Sequence, residues 1–575
     1  MNSTDKRLGS ADGTVPTTRA RTVAEAVARH GCSTVFGLMG DGNMALFLAL
    51  DTAGVEVVEV RHESAAVAMA EGYAWSSGGV GVCSVTHGPG LTHVATSLVV
   101  AARNRSPLVL ITAEVPTGYA GAQSFGQESF ATACEAPYRR MAADEDPDAV
   151  VDEVMALAKA RSRPVVLAVA ADLFTGASRT RSTGPGGRHR PAGAVCGPTA
   201  EGAPATAVRQ LTTALVRARR PVLIAGRGAL GGAADPLRVL AGHLGAGLAT
   251  TLPAKGLFDG HLLDLGIAGG LSHPAAERVL AEADVVVAVG AGMGRSTTQS
   301  RELFAAADVL RVLDEPPAVP EATALGTVVR GEATATMAEV ARAVAAATGR
   351  RDPWFTPVGT SADCWQEDLD VYAPDLQPGT VDPRAALLHI SEVIPRDAVV
   401  VVSNGHCSGF VSAFVTAPAD GRILTAQGFG SIGQAMTSAI GAARGAPGQK
   451  VVVFEGDAAF MMHAQELDTA ARTGVDLTVF VLNDQALGTE YQRLRRDGDG
   501  AELAVVPPPD LAVLARALGA RAWTIDEHAD ARATAEAALN QSGPALVDIR
   551  TARTVLSRHM RLPGPRQGTP AGAHH

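Results

Sequence analysis

The stretch Val451-Val452-Val453-Phe454-Glu455-Gly456-Asp457-Ala458-Ala459-Phe460 decides how this chain is read. Its apolar run leads into Gly456-Asp457, the pattern of a parallel strand buried on both faces. A helix-like segment follows, with Phe460, Met461, Leu467 and Ala471 on one side. A second apolar run, Leu477 to Leu482, then ends in Asn483-Asp484. Asp457 and Asp484 are about one strand–helix–strand unit apart, each at the carboxyl end of a strand, where open α/β sheets bind ligands. Hard oxygen ligands placed this way suit Mg2+, which takes a few carboxylates together with substrate phosphates. The small residues Gly456, Ala458 and Ala459 let backbone N–H groups approach a diphosphate. An ordinary strand–helix–strand unit with acidic strand ends would give the same pattern.

Composition bounds the rest. At 575 residues the chain exceeds one core, and three domains are expected. Hydrophobic content of 46% with 19% charged residues is that of a globular protein. A net charge of −10, with no basic cluster interleaved with aromatics, argues against nucleic acid as a partner. Lysine occurs only at Lys6, Lys159, Lys255 and Lys450, which leaves few candidates for a Schiff base and counts against a pyridoxal phosphate enzyme. Cys32, Cys83, Cys134, Cys196, Cys364 and Cys407 show no CxxC spacing, so neither a zinc knuckle nor a disulfide framework is indicated, and a reducing cytoplasm is expected. Met1 to Arg21 holds no apolar core of a signal peptide, and no apolar run is long enough to span a membrane. The Pro/Gly-rich end, Leu562 to His575, is expected to fray.

Working outward, three regions alternate strand and helix patterns, at 17–175, 205–348 and 379–555, with Gly/Arg/Ser/Pro-rich linkers near 175–204 and 349–378. The fold class is α/β, three consecutive parallel-sheet domains. In the central region, Gly226-Arg227-Gly228-Ala229-Leu230-Gly231 fits G-x-G-x-x-G after a strand at Pro221–Ala225. The acidic ribose partner expected about 20 residues on is missing, so a close-packed strand–helix turn is the better reading and a dehydrogenase the weaker one.

The first region carries Phe36-Gly37-Leu38-Met39-Gly40-Asp41-Gly42-Asn43, then Val60-Arg61-His62-Glu63, then Thr86-His87-Gly88-Pro89-Gly90, each at the end of an expected strand. Helices are expected at Ala65–Ser76 and Leu91–Ala102. Glu63 follows an apolar strand and precedes an Ala-rich helix; desolvation there would raise its pKa. A helix N-terminal acid interacting with the dipole accounts for the same position.

The order of these motifs, with Glu63 and Gly88-Pro89-Gly90 upstream and Gly456-Asp457 downstream, resembles the acetolactate synthase and pyruvate decarboxylase superfamily over roughly 17–555. The downstream element resembles its thiamine diphosphate motif, Gly-Asp-Gly followed by Asn-Asn, with Ala458 in place of Gly and Asp484 in place of the second Asn. The resemblance implies that Mg2+ is held by Asp457, Asp484 and the carbonyl of Ala486. It implies that Glu63 hydrogen-bonds N1′ of the aminopyrimidine, favouring the 4′-imino tautomer that removes the thiazolium C2 proton. The ylid then attacks a 2-oxo acid and CO2 leaves, the thiazolium acting as electron sink. Gly430 and Ile432 resemble the segment that supports the bent cofactor. Asn404, His406 and Ser408 are placed near the diphosphate, with Gly456, Ala458 and Ala459. On the substrate side the resemblance implicates Gln127 and Asp41, and His87 is a candidate acid/base or a hydrogen-bonded structural histidine.

The adjacent histidine pair of the simple decarboxylases is absent between Gly118 and Ala136, which favours a carboligase. The implied activity is decarboxylation of a 2-oxo acid with ligation to a carbonyl acceptor. A non-ligating decarboxylase or an idle cofactor-binding protein stand as alternatives. A homodimer or homotetramer is implied, because in the family the cofactor bridges subunits. FAD in the central region is compatible with the resemblance but is supported by no motif.

Overall fold

The structure, a computed structural model, describes residues 18–118, 121–176, 202–314, 326–359, 362–371, 376–418, 423–425 and 428–561. Most of the linker expected at 175–204, nearly all of Met1 to Arg21, Cys196 and the tail 562–575 lie outside these residues. The chain divides into two compact units, Met1–Val195 with Arg444–Ala446, and Cys196–Ala443 with Pro447–His575.

The first unit is built on six parallel strands: β1 (Thr34–Gly37), β2 (Glu56–Glu59), β3 (Gly81–Val85), β4 (Leu108–Glu114), β5 (Tyr138–Arg140) and β6 (Pro164–Ala170), in the order β2-β1-β3-β4-β6-β5. The apolar runs lie where helices cover both faces of the sheet; every residue of β3 and β6 is buried. The helix Glu63–Ser77 starts where the His62 side chain accepts the Ser64 N–H and stops at Gly78, whose φ of 70° is left-handed. Its residues from Ser64 to Ala74 are all buried, and their small side chains allow close approach to the strands. The helix expected at Leu91–Ala102 forms as two, Pro89–Thr92 and Ala95–Arg103, broken at His93-Val94. Thr92 Oγ1 bonds back to the Pro89 carbonyl at 3.0 Å, a local bond that competes with the helical ladder.

The second unit holds two sheets. β7 (Pro221–Ala225), β8 (Gly247–Thr250), β9 (Asp264–Ile267), β10 (Val285–Val289), β11 (Asp308–Leu313) and β12 (Thr327–Arg330) run in the order β12-β11-β10-β7-β8-β9. β13 (Val399–Val402), β14 (Ile423–Thr425), β15 (Val451–Gly456), β16 (Leu477–Asn483), β17 (Arg521–Ile525) and β18 (Ala545–Arg550) run in the order β14-β13-β15-β16-β18-β17. Counted within its own sheet, this last order repeats that of the first unit, as their similar layouts suggest. Phe454 of β15 and Phe480 of β16 stack face to face at 5.1 Å in the core behind the strand ends. Truncating either to Ala would cost about 3–5 kcal/mol. All three sheets are parallel α/β. Among the described residues no helix is long and apolar enough to cross a membrane, and Cys32, Cys83, Cys134, Cys364 and Cys407 are free thiols.

Candidate functional site

At the carboxyl end of β15, Asp457 is the first residue of the helix Asp457–His463, and it is buried. Its Oδ2 is buried with no hydrogen-bond partner among the described residues. Burial first, and then the charge of Asp484, push its carboxyl well above the ordinary range. An orphaned carboxylate oxygen beside a second carboxylate is a donor set that a divalent cation would satisfy. At the end of β16, Asn483 turns inward and donates to Asp548 Oδ1 at 2.9 Å. Asp484 is left as the second ligand candidate. Its Oδ1 accepts the Ala486 N–H at 3.1 Å, its carbonyl accepts from Arg553 Nε at 2.8 Å, and Gln485 between them has φ 59°. That left-handed residue tightens the turn and brings Ala486 back beside Asp484.

His406 opens the helix His406–Phe414 directly after Gly405, whose φ is 97°. Its Nε2 accepts the Ser557 N–H at 3.1 Å, so the ring hydrogen sits on Nδ1, which faces Asp484 Oδ2 at 3.8 Å. Ser408 Oγ donates to the Gly405 carbonyl at 2.7 Å, and Asn404 Oδ1 accepts the Gly405 N–H at 2.9 Å. The segment from Gly430 to Gly433 lies against this turn. A Cβ on Gly405 would come 3.8 Å from Ile432, one on Gly430 would come 3.8 Å from Asn404, and one on Gly433 would meet Met462 at 2.9 Å. A Cβ on Gly456 would meet Cys407 at 3.5 Å. The structure therefore gathers Asn404, His406, Ser408, Gly430, Ile432, Gly456, Ala458, Ala459, Asp457, Asp484 and Ala486 at one sheet edge. Gly488 belongs with them: a Cβ there would lie 2.6 Å from Asp484 Oδ2 and 3.0 Å from His406 Cβ. Nothing in the sequence alone pointed to Gly488, because its contact with His406, which follows another strand, forms only when the sheet is folded.

The first unit presents its candidates at the carboxyl ends of β1 to β4 in turn. Asp41 is exposed in the loop after β1. Asn43 is buried beneath it and holds that loop, accepting the Gly40 N–H at 2.8 Å and donating to the Leu38 carbonyl at 3.2 Å. Glu63 follows β2 and lies 2.8 Å from His93 Nδ1. His87 follows β3 and is buried against Gly42, where a Cβ would come 2.4 Å from its Nδ1. Gln127 is buried after β4, its Nε2 donating to the Ala113 carbonyl at 3.0 Å and its Oε1 3.4 Å from the Tyr138 hydroxyl. Burial and the Glu114 carboxylate that accepts its hydrogen bond raise the pKa of Tyr138. His93 and Tyr138 went unread because one sits in a helix break and the other on an edge strand.

In the central sheet the glycine motif meets the end of β10. The Gly226 N–H donates to the Val289 carbonyl at 2.8 Å and the Gly228 N–H to the Gly290 carbonyl at 3.1 Å. A Cβ on Gly226 would come 2.4 Å from Gly290 O. Both amides that would greet a phosphate are spent on packing, which is the close-packed turn and not the dinucleotide cradle.

Comparison with known proteins agrees with this layout. The N-terminal TPP binding domain of the thiamine pyrophosphate enzymes matches residues 17–134, the central domain 208–340, and the C-terminal TPP binding domain 403–549. The chain is 28% identical to the acetolactate synthase large subunit of Parasynechococcus marenigrum, covering 96% of this chain and 91% of that protein. It is 29% identical to the probable 2-ketoarginine decarboxylase AruI of Pseudomonas aeruginosa, covering 93% and 94%. It is 27% identical to the acetolactate synthase isozyme 2 large subunit of Escherichia coli, covering 92% and 95%. The chain belongs to the thiamine pyrophosphate enzymes and is an acetolactate synthase-like, thiamine diphosphate-dependent member of them.

Proposed function

We propose that the protein decarboxylates a 2-oxo acid and joins the remaining fragment to a carbonyl acceptor, using Mg2+ with its thiamine diphosphate. The observation that carries this reading is the buried, unpartnered Asp457 Oδ2 beside Asp484 at the ends of β15 and β16. Asp457, Asp484 and the Ala486 carbonyl would hold the metal, and the backbone from Gly456 to Ala459 with Asn404 and Ser408 would hold the diphosphate. His406 is assigned to the same diphosphate region, although its nitrogens face Ser557 and Asp484. Gly430 and Ile432 would support the rings. When bound, the cofactor supplies the electron sink that lets CO2 depart. Glu63 would hold a proton at N1′ of the pyrimidine, Gln127 and Asp41 would orient the substrate, and His87 would move a proton near the reacting carbon. Residues 17–175 form the aminopyrimidine-binding domain in this reading, 205–348 the central domain and 379–555 the diphosphate-binding domain. The working form is a cytoplasmic homodimer or homotetramer.

Simple decarboxylation is the second reading. The likeness to a probable 2-ketoarginine decarboxylase favours it; the missing histidine pair between Gly118 and Ala136 disfavours it. One experiment separates them: incubation with thiamine diphosphate, Mg2+ and a panel of 2-oxo acids, a guanidino-bearing one included, with products identified by mass spectrometry. Ligated hydroxy-ketone products support the proposal. Free aldehyde alone supports the second reading, and no consumption of any 2-oxo acid overturns both.

A further inference from the structure

Glu63 does not stand alone at the end of β2. Its Oε2 is 2.8 Å from His93 Nδ1, with the Glu63 side chain 12% exposed and that of His93 50% exposed. His93 occupies the break between the helices Pro89–Thr92 and Ala95–Arg103, a position that frees its side chain from either helical face. Its ring lies on that of His62, centroids 4.9 Å apart and planes 23° from parallel. His62 is fixed in turn: its Nδ1 accepts the Ser64 N–H at 3.2 Å and lies 2.7 Å from Ser64 Oγ. The other carboxylate oxygen, Oε1, lies over Gly90, where a Cβ would approach to 3.6 Å.

We propose that His93 is a positioning residue for Glu63: its Nδ1–H, on a ring stacked against His62, binds Oε2 and leaves Oε1 as the oxygen that meets the cofactor pyrimidine. The inference rests on the thiamine diphosphate reading of Glu63. Its physical basis is pre-organisation. A free glutamate rotates about three bonds, and freezing them costs conformational entropy. A carboxylate already held by one oxygen has met that cost before the cofactor arrives. Among the described residues, the titratable groups clustered with Glu63 are His93 from the helix break and His62 from its own N-cap, and neither adds negative charge.

The test uses the full-length protein loaded with thiamine diphosphate and Mg2+, and compares Glu63→Gln, His93→Ala and His93→Asn. Turnover is measured on the 2-oxo acid that the panel identifies. Cofactor dissociation is measured by calorimetry, and the near-ultraviolet circular dichroism of the bound cofactor is followed against pH. His93→Ala is expected to bind the cofactor, to lose turnover by on the order of tenfold to a hundredfold in kcat with KM little changed, and to weaken the near-ultraviolet dichroic signal of the bound cofactor. His93→Asn carries its amide N–H where Nδ1 was, and is expected to restore most of both. If Glu63→Gln loses turnover while His93→Ala keeps the parent kcat and dichroic signal, the role of His93 is overturned and the reading of Glu63 stands. If Glu63→Gln keeps turnover and the dichroic profile, both fall together. Should His93→Ala lose its fold, His93→Phe keeps the stacked ring without the donor, and the same expectations apply to it.

Discussion

His406 and Asp484 form a pair in which His406 Nδ1 faces Asp484 Oδ2 at 3.8 Å while His406 Nε2 accepts the Ser557 N–H at 3.1 Å. The Asp484 carboxylate places a negative charge beside Asp457. His406 supplies an N–H that faces it. The backbone after β18 holds the ring in the matching tautomer.

Asp484→Asn removes that charge. Asp457 is pushed up by burial and by Asp484, so the variant's Asp457 should ionise at lower pH than the parent's. Two consequences oppose each other. Near pH 8 the loss of a charged ligand should weaken Mg2+ by about tenfold, because affinity follows ligand charge. Toward acid the variant should hold its affinity longer. Calorimetric titration with Mg2+ at saturating thiamine diphosphate, across a pH series, should show the two curves converging as pH falls.

Gly488→Ala should damage the same turn sterically. The added Cβ would meet Asp484 Oδ2 at 2.6 Å and Cβ of the buried His406 at 3.0 Å, so the Asp484 carboxylate, held at Oδ1 by the Ala486 N–H, would have to shift. A loss of about 1–3 kcal/mol is expected, seen as a lower Tm and as weaker Mg2+-dependent cofactor binding. The same substitution at Gly498, where a Cβ would meet nothing within 4 Å but φ is 93°, should lower Tm through backbone strain alone and spare cofactor binding.

Lys255→Met should loosen the helix that His406 opens. Lys255 reaches from the turn after β8 to the last turn of His406–Phe414, where Nζ donates to the Ser412 carbonyl at 2.7 Å and also to the Val415 carbonyl. Burial lowers the Lys255 pKa to about 7, so a cation complements the helix dipole there at and below that pH. Losing these hydrogen bonds leaves two carbonyls unsatisfied and should cost about 1–3 kcal/mol. Thermal unfolding and hydrogen exchange over residues 406–414 check this.

His273→Asn should change the pH dependence of stability. His273 is buried at the N-terminus of the helix Pro274–Ala281, where its Nδ1 accepts the Ala276 N–H at 3.2 Å. Burial, then the nearby Arg558 charge, lower its pKa to about 4. Because the folded pKa lies below the unfolded value of about 6.5, the unfolded chain binds the extra proton first. The contribution is whole above about pH 6.5 and is lost as pH falls toward 4. Asn caps without titrating, so the variant's Tm should fall less than the parent's between neutral pH and about pH 5.

Much of the fold was legible because the signal was local. The strands expected at Pro221–Ala225 and Leu477–Leu482 form at Pro221–Ala225 and Leu477–Asn483, since an apolar run between helices has one place to go. β5 was missed for the opposite reason: Tyr138-Arg139-Arg140 is a short, half-exposed edge strand whose pairing with β6 comes from its neighbour and not from its own pattern. The broken helix at His93 was missed because the periodicity of Leu91–Ala102 continues through the break.

The sequence by itself determined the α/β class, the strand ends that carry Glu63, Asp457 and Asp484, and their order along the chain. Those follow from hydrophobic runs and from small residues at turns, which act over a few positions. Only the tertiary structure decided which groups those side chains meet: His93 on Glu63, His406 on Asp484, Tyr138 beside Gln127, and the carbonyl of Gly290 in the central glycine turn. Each pairing joins segments that approach only when neighbouring strands and loops pack, and no local pattern records that distance.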